Sequence, residues 1–498
     1  MNKSRLFSFV LRAYHKEFHA YRWLNLSRCP IIVIGILAIL LSGFPQATGS
    51  ASSTSLLLHA SAADTAPPHV YVSYMPPQRP NGPIVAATPQ PQPATHGIQP
   101  NATRLATPNA TPLPHPAAPT VTPPPPTATA PPPASLLWGT IGTNGSDYAT
   151  LYAAGVRTRV VRLSWRDLEP AEGQFDANLS AWLTGQFASM RQAGLSIILE
   201  LGYQDTPPWV HTTYPNSRYV DQYGDAYDGG SDRDSGDANL IFNLTLRPVV
   251  TRYINYVFST FGTDFAAVRL GGGRWGELIY PTYQYAGQVN CYWGYDAAAA
   301  ATNPVPGWRP GQPSPNGEAT RFLEWYLNTL VAYQNWQIAV LRQHYTGTLM
   351  MLYPSWGVRP GEIAKAEAGN LSGTSTWSEQ GGDVQRGLDW ARQVATITDA
   401  KVVPTVTWLD AQTQWPDPAD PQGWTPVQYL SSLAIANPLH LRVYGENSGQ
   451  GTKDAVTLRY TVSQTRRYGL IGMAWYDEQE LLSGQAATLN DYRQAISG

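Results

Sequence analysis

Eight short apolar runs recur between Ser135 and Gly498, each followed by a stretch with helical spacing, and this alternation leaves few folds open to the chain. The first four are LLWGTIG from Leu136, RVVRLSW from Arg159, SIILELG from Ser196 and AAVRLGGG from Ala266. The others are TLMMLYPSW from Thr348, KVVPTVTWL from Lys401, LHLRVYG from Leu439 and GLIGMAWYD from Gly469. Most are continuous rather than alternating, as expected of parallel strands covered on both faces. Helical punctuation lies between them. Asp176 can cap a helix carrying Leu179, Trp182, Leu183, Phe187 and Met190, with Gly194 past its end. Val250, Tyr253, Ile254, Val257 and Phe261 form a second stripe that stops at Gly262. Thr425–Pro426 opens another helix and Asn437–Pro438 closes it. Eight strand–helix units predict an α/β chain folded as a (β/α)8 TIM barrel. A doubly wound open sheet is the runner-up, weakened because no GxGxxG follows the first run.

The rest of the chain is built differently. Residues 1–28 form a basic leader, Lys3, Arg5, Arg12, Lys16, Arg22 and Arg28 against Glu17 alone. Residues 29–45 contain IIVIGILAILL, an apolar run short for a spanning helix. A basic flank before such a run predicts either a signal anchor or a cleaved signal peptide. The first places the protein in the cell membrane, single-pass with the barrel outside, and the second secretes it. Residues 46–134 are rich in Pro, Thr, Ala and Ser, and 22 of the 43 prolines fall between Asp64 and Pro133. Such a tract cannot bury enough apolar surface to offset its ordering entropy and predicts a disordered stalk. A net charge of −2 argues against nucleic acid as the main partner. The membrane is thus expected as a partner through the N-terminal segment only. Two cysteines, Cys29 and Cys291, exclude a disulfide framework or a Cys-based zinc cluster.

In a barrel of this kind chemistry sits at the C-terminal ends of the strands. Those ends carry carboxylates and aromatics. Strand two leads into Trp165 and Glu169, strand three ends in Glu200 with Asp205 and Trp209 beyond, and strand four is followed by Trp275 and Glu277. Tyr353 and Trp356 follow strand five, Trp408 and Asp410 strand six, Glu446 and Asn447 strand seven, Trp475, Asp477 and Glu478 strand eight. An aromatic mouth with opposed carboxylates suits a sugar: indole faces stack on the ring, and two carboxyl groups flank the glycosidic bond. Glu277 and Glu446 are the candidate catalytic pair. Trp165, Trp209, Trp275, Tyr353, Trp356, Trp408, Asn447 and Trp475, with Arg162, are the candidate substrate contacts. An oligo- or polysaccharide is the expected partner.

The stretches VRLSWRDLEPAEGQFD, PPWVHTTYP with YVDQYGDAYDGG, and strand four resemble the glycoside hydrolases of clan A, most of all the catalytic barrel of family-42 β-galactosidases. The resemblance implies a proton-donor Glu after strand four, Glu277, and a nucleophile Glu after strand seven, Glu446. It also matches Arg162 to an Arg that clan members carry on strand two, and Trp475 to their Trp on strand eight. One departure is Gly276, where the clan places Asn before the donor. GGGRWGELIYPTY and YGEN are similar instead to the catalytic segments of β-amylases, which invert configuration.

Blander roles compete at each position. Glu277 and Glu446 can cap a helix or a turn, Asn447 can be a turn residue, and Arg162 can be a buried barrel ion pair. Glu200, Asp410, Asp477 and Glu478 can hold loops, and Glu169 reads as a loop fastener. Trp182, Trp325, Trp336 and Trp390, on helices, read as core. His211 reads as a solvated loop residue, Cys291 as a lone loop thiol and GSDRDSGD from Gly230 as a flexible loop. No metal or cofactor motif is present, so none is expected. The rival from another class is a non-catalytic surface protein that binds polysaccharide.

Overall fold

The computed structural model describes residues 136–142, 147–229, 236–413, 419–449 and 451–498. The expected leader, apolar segment and stalk lie outside the described residues, as do positions 230–235 of the acidic loop run. Among the described residues no helix is long and apolar enough to cross a membrane.

Eight parallel strands close a barrel. They are β1 (Leu137–Ile141), β2 (Thr158–Arg162), β3 (Ser196–Glu200), β4 (Ala267–Leu270), β5 (Thr348–Tyr353), β6 (Val402–Val406), β7 (Tyr444–Glu446) and β8 (Gly472–Tyr476). Each pairs with its sequence neighbours. β8 returns to β1 in a register running from Leu137 opposite Gly472 to Ile141 opposite Tyr476. One outer helix follows each strand: α1 (Tyr148–Ala153), α2 (Ala177–Gln192), α3 (Arg247–Phe261), α4 (Glu318–Arg342), α5 (Trp390–Ala395), α6 (Pro426–Ala436), α7 (Ala455–Arg467) and α8 (Leu489–Ser497). This is the (β/α)8 barrel that the eight runs predict.

The caps behave as their chemistry requires. The Asp176 carboxylate accepts from Asn178 N and Leu179 N at the start of α2, and the Thr425 hydroxyl accepts from Gln428 N at the start of α6. Gly262 ends α3 with φ 71. Two expectations need correcting. The seventh strand begins only at Tyr444, because the first part of its run closes α6: Leu441 N donates to Ala434 O and His440 turns with φ 47. Trp182 is 44% exposed on α2 instead of joining the core, whereas Trp390 is fully buried.

Side-chain parity along the strands sets what the barrel can present. Val160, Ile198, Ala267, Met350, Leu352, Val403, Tyr444 and Ala474 form a small inner cluster. Their neighbours Val161, Leu199, Val268, Met351, Tyr353, Met473 and Trp475 belong to the large core shared with the helices. With a period of two, the inward direction passes from Val160 to Arg162, from Ile198 to Glu200 and from Ala267 to Arg269. It likewise passes from Val403 through Thr405 to Thr407, from Tyr444 to Glu446 and from Ala474 to Tyr476.

Candidate active site

Those inward positions converge at the C-terminal end of the barrel, and most of them are charged. Arg269, 5% exposed, places Nη2 2.8 Å from Glu446 Oε2 and Nη1 3.3 Å from Glu200 Oε2. Glu200 Oε1 lies 3.3 Å from Arg162 Nε and accepts from Gln204 Nε2 at 2.8 Å. Arg162 in turn reaches Asp205 at 3.2 Å. Glu446, Arg269, Glu200, Arg162 and Asp205 therefore form one continuous chain of alternating charge across strands seven, four, three and two.

Glu277 meets this chain from the turn after β4. Gly271, φ 152, lets the chain fold back so closely that a Cβ there would lie 2.2 Å from Gly276 O. The turn is fastened by Gly273 N donating to Glu277 O at 2.9 Å and by Leu278 N donating to Leu352 O at 3.0 Å. Gly276, φ 83, also explains the departure from the clan pattern: a Cβ at this position would meet Glu200 Oε1 at 2.6 Å. The space that another side chain would need is filled by the Glu200 carboxylate.

The two candidate carboxylates sit in unequal surroundings. Glu277, 9% exposed, accepts a hydrogen bond from the neutral Thr407 hydroxyl at 2.8 Å, and among the described residues no cation lies within ion-pair distance of it. Burial pushes it up to about 8, opposed by the Thr407 bond and helped by the negative charge of Glu446. Burial pushes Glu446 up to about 7, with Arg269 opposing and Glu200 adding to the rise. Burial thus raises both carboxyls, Glu446 with a cation on its carboxylate and Glu277 with only a neutral hydroxyl.

Of the other expected contacts, Arg162 faces inward as described. Trp275 is half-buried beside Glu277, with φ 60 and the Arg274 guanidinium 4.3 Å over its ring. Trp356 is half-buried edge-on to Trp377, with centroids 5.7 Å apart. Trp408 is buried to 7% at the end of β6.

Five of the expected contacts are engaged within the protein. Trp475 and Tyr353 point outward by strand parity and are fully buried in the outer core, where the Tyr353 hydroxyl donates to Gln334 Oε1. Trp165 is fully buried, its Nε1 donating to Glu169 Oε2 at 2.7 Å. Trp209 packs against Trp165 and under Arg252 of α3, its Nε1 donating to Glu169 O. Asn447 spends its amide on the backbone of Tyr476, donating to its O and accepting from its N at 2.7 Å, so it ties β7 to β8.

Several blander readings hold. Glu169 fastens its loop through Trp165, Gly173 N and Arg252. Glu478 forms a buried pair with Arg159 at 2.9 Å, and Asp410 accepts from Ser448 N and Oγ. His211 is half-buried: Nδ1 meets Ser217 Oγ at 3.0 Å, and burial pushes the ring down to about 4. Cys291 is a buried free thiol. The sequence reading missed Arg269 and Thr407, although counting by two from Ala267 and Val403 reaches both.

Fold, convergent carboxylates and likeness to known proteins together define the class: a glycosidase built on a (β/α)8 barrel. Residues 142–255 match glycoside hydrolase family 42, described as Beta-galactosidase. No curated protein matches the chain. Among solved structures, the catalytic domain of β-amylase from Paenibacillus polymyxa is 16% identical with a TM-score of 0.55, covering 72% of this chain and 97% of that one. The β-galactosidase from the psychrophilic Marinomonas ef1 is 14% identical with a TM-score of 0.47, covering 72% of this chain and 58% of that one. The chain thus shares the fold of the β-amylase catalytic domain, and its match to the β-galactosidase family runs from the end of β1 into α3.

Proposed function

We propose that this protein is an extracytoplasmic glycosidase that cleaves β-linked sugars, β-galactoside being the first candidate, with retention of configuration. The observation that carries the mechanism is the asymmetry of the pair: Glu446 lies on the Arg269 guanidinium and Glu277 on a neutral hydroxyl. Glu277 gives its proton to the glycosidic oxygen as the bond to the anomeric carbon lengthens, and the aglycone leaves as an alcohol. Glu446 attacks that carbon from the opposite face and forms a glycosyl-enzyme. Water then attacks the same carbon, Glu277 takes its proton, and Glu446 departs as carboxylate. The match of residues 142–255 supports the β-galactoside assignment, and the basic leader with its apolar run supports a position outside the membrane.

A second reading rests on Gly276 and the GELIYP and GEN segments: inverting hydrolysis of an α-glucan, with Glu446 activating water instead of attacking. One experiment separates the readings. The protein is incubated with 4-nitrophenyl β-galactoside, other β-glycosides and maltooligosaccharides, and the first anomer released is followed by NMR. β-Galactose released from the β-galactoside supports the proposal, and β-maltose released from an α-glucan moves the assignment to the inverting type. Binding without cleavage identifies a polysaccharide-binding surface protein instead.

A further inference from the structure

Beside the chain of charges lies a cavity of about 440 Å³, lined by Tyr227, Asp228, Arg274, Thr282, Gln284 and Tyr285 among others. Its volume falls within the roughly 300–1,000 Å³ of small-ligand sites. One wall is a hairpin in the β4–α4 connection, Gln284–Tyr285 paired antiparallel with Gln288–Val289. Its two turn residues, Ala286 at φ 50 and Gly287 at φ 82, give the tight turn that suits a two-residue loop. The other wall comes from the β3–α3 connection.

The Tyr285 ring is held in place from several sides. Its hydroxyl donates to Asp228 Oδ1 at 2.6 Å and accepts from Asp228 N at 3.1 Å. The ring packs edge-on against Tyr227 and Trp293, both with centroids 5.4 Å away. An aromatic group fixed in this way needs little further ordering when a ligand arrives. Around it Asp228, Arg274, Thr282 and Gln284 supply donors and acceptors of both charge signs. That mixture suits a neutral polyol with many hydroxyl groups better than an anion or an apolar group. The cavity also adjoins residues of the candidate site. A small recess shares Tyr227, Gly229 and Arg274 with it and is also lined by Arg162, Asp205 and Trp275. From Arg162 the charge chain leads to Glu446.

We propose that this cavity is a sugar subsite remote from the cleaved bond, and that the substrate is a neutral oligosaccharide of three or more units. The proposal rests on the glycosidase reading and adds the length of the substrate and where its distal unit lies. Energy from a remote unit is used to orient the reacting one, so losing the subsite lowers turnover of long substrates more than of short ones.

The test compares kcat/KM on 4-nitrophenyl β-galactoside with kcat/KM on β-1,4-galactobiose to galactopentaose, and runs maltose to maltopentaose in parallel. For the wild type the rate rises with chain length. In Tyr285→Ala, and separately in Gln284→Ala, the ratio of long-substrate to short-substrate kcat/KM falls about tenfold. An unchanged ratio in both folded variants overturns the subsite. Binding of the pentasaccharides to Glu277→Gln, with and without Tyr285→Ala, is measured by calorimetry as a readout independent of cleavage. If the wild type cleaves nothing but Tyr285→Ala weakens binding about tenfold, the glycosidase reading fails and the subsite stands. Equal binding by the two overturns the subsite whatever the reaction.

Discussion

Replacing Arg269 by Met tests whether one buried cation decides which carboxylate carries the proton. The substitution keeps a long apolar stem and removes the charge that lies 2.8 Å from Glu446 and 3.3 Å from Glu200. An opposite charge at such range lowers a carboxyl pKa by about 1–3. Arg269 opposes the rise of Glu446, so its loss moves Glu446 upward from about 7. Glu446 acts as the ionised partner, so the acid limb of kcat/KM moves to higher pH by about 1–3. At pH 7 the ionised fraction then falls by roughly fivefold for the first whole pH step that the limb moves and roughly tenfold for the next, and the limb approaches the pH at which Glu277 loses its own proton. Glu446 is also left without its cation, while Glu200 keeps only Arg162, at a cost of about 3–5 kcal/mol in stability. Folding is therefore checked by circular dichroism and thermal melting. Arg269→Lys, which restores the charge but not the fork, and Arg269→Met with Glu200→Gln, which removes the neighbouring carboxylate charge, serve as companions. The assay is kcat/KM on a 4-nitrophenyl glycoside from pH 5 to 10. A folded Arg269→Met protein whose acid limb stays near the wild-type position, with no partial recovery in Arg269→Lys, would refute the reasoning.

Three further outcomes follow from the same geometry. Glu277→Gln and Glu446→Gln each lower turnover by several orders of magnitude while the melting transition stays cooperative, which stopped assays and calorimetry check together. The wild-type pH profile is a narrow bell with its maximum between about 7, where Glu446 ionises, and about 8, where Glu277 loses its proton. For stability the sign reverses. A carboxyl raised from its ordinary 4.5 to about 8 contributes fully below the lower value, and that contribution is lost as pH rises through the upper one. Glu277→Gln therefore melts higher than the wild type at pH 9, by more than the roughly 2–4 °C that 1 kcal/mol gives, and shows little difference at pH 5, as thermal scans at both values reveal. Finally, Gly276→Asn, which restores the residue usual in the clan, costs about 1–3 kcal/mol because its Cβ would meet Glu200 Oε1 at 2.6 Å; denaturant melts measure it.

The barrel was legible because its strands are continuous apolar runs and its helices carry ordinary caps, as Asp176 and Thr425 show. Glu277 and Glu446 were legible because they stand at strand ends. The aromatic contacts were read less well, for a definite reason. Standing near a strand end does not say which face a side chain takes, and one residue's difference turns Trp475 into core while Tyr476 faces inward. Asn447 was misread because its role depends on the backbone of β8, which pairing brings near and sequence distance hides. Arg269 was missed because it stands inside a strand and not at its end. Its two partners come from strands three and seven, far away in the chain.

The closing seam between β1 and β8 has a consequence for how this chain is made. Leu137–Ile141 finds half its backbone partners only in Gly472–Tyr476, and the seam is backed by contacts that also await the last strand. Thr140 donates to Glu478 at 2.6 Å, Arg159 pairs with Glu478, and the Tyr492 hydroxyl donates to Gly139 O. At a synthesis rate of roughly 5–20 residues per second, tens of seconds separate the first strand from its partner on the ribosome. During that interval the nascent sheet keeps an open edge of strong β formers, the kind of surface that pairs with other chains. Nascent-chain chaperones that shield such an edge are expected to govern the yield of this protein more than the stability of its finished barrel does.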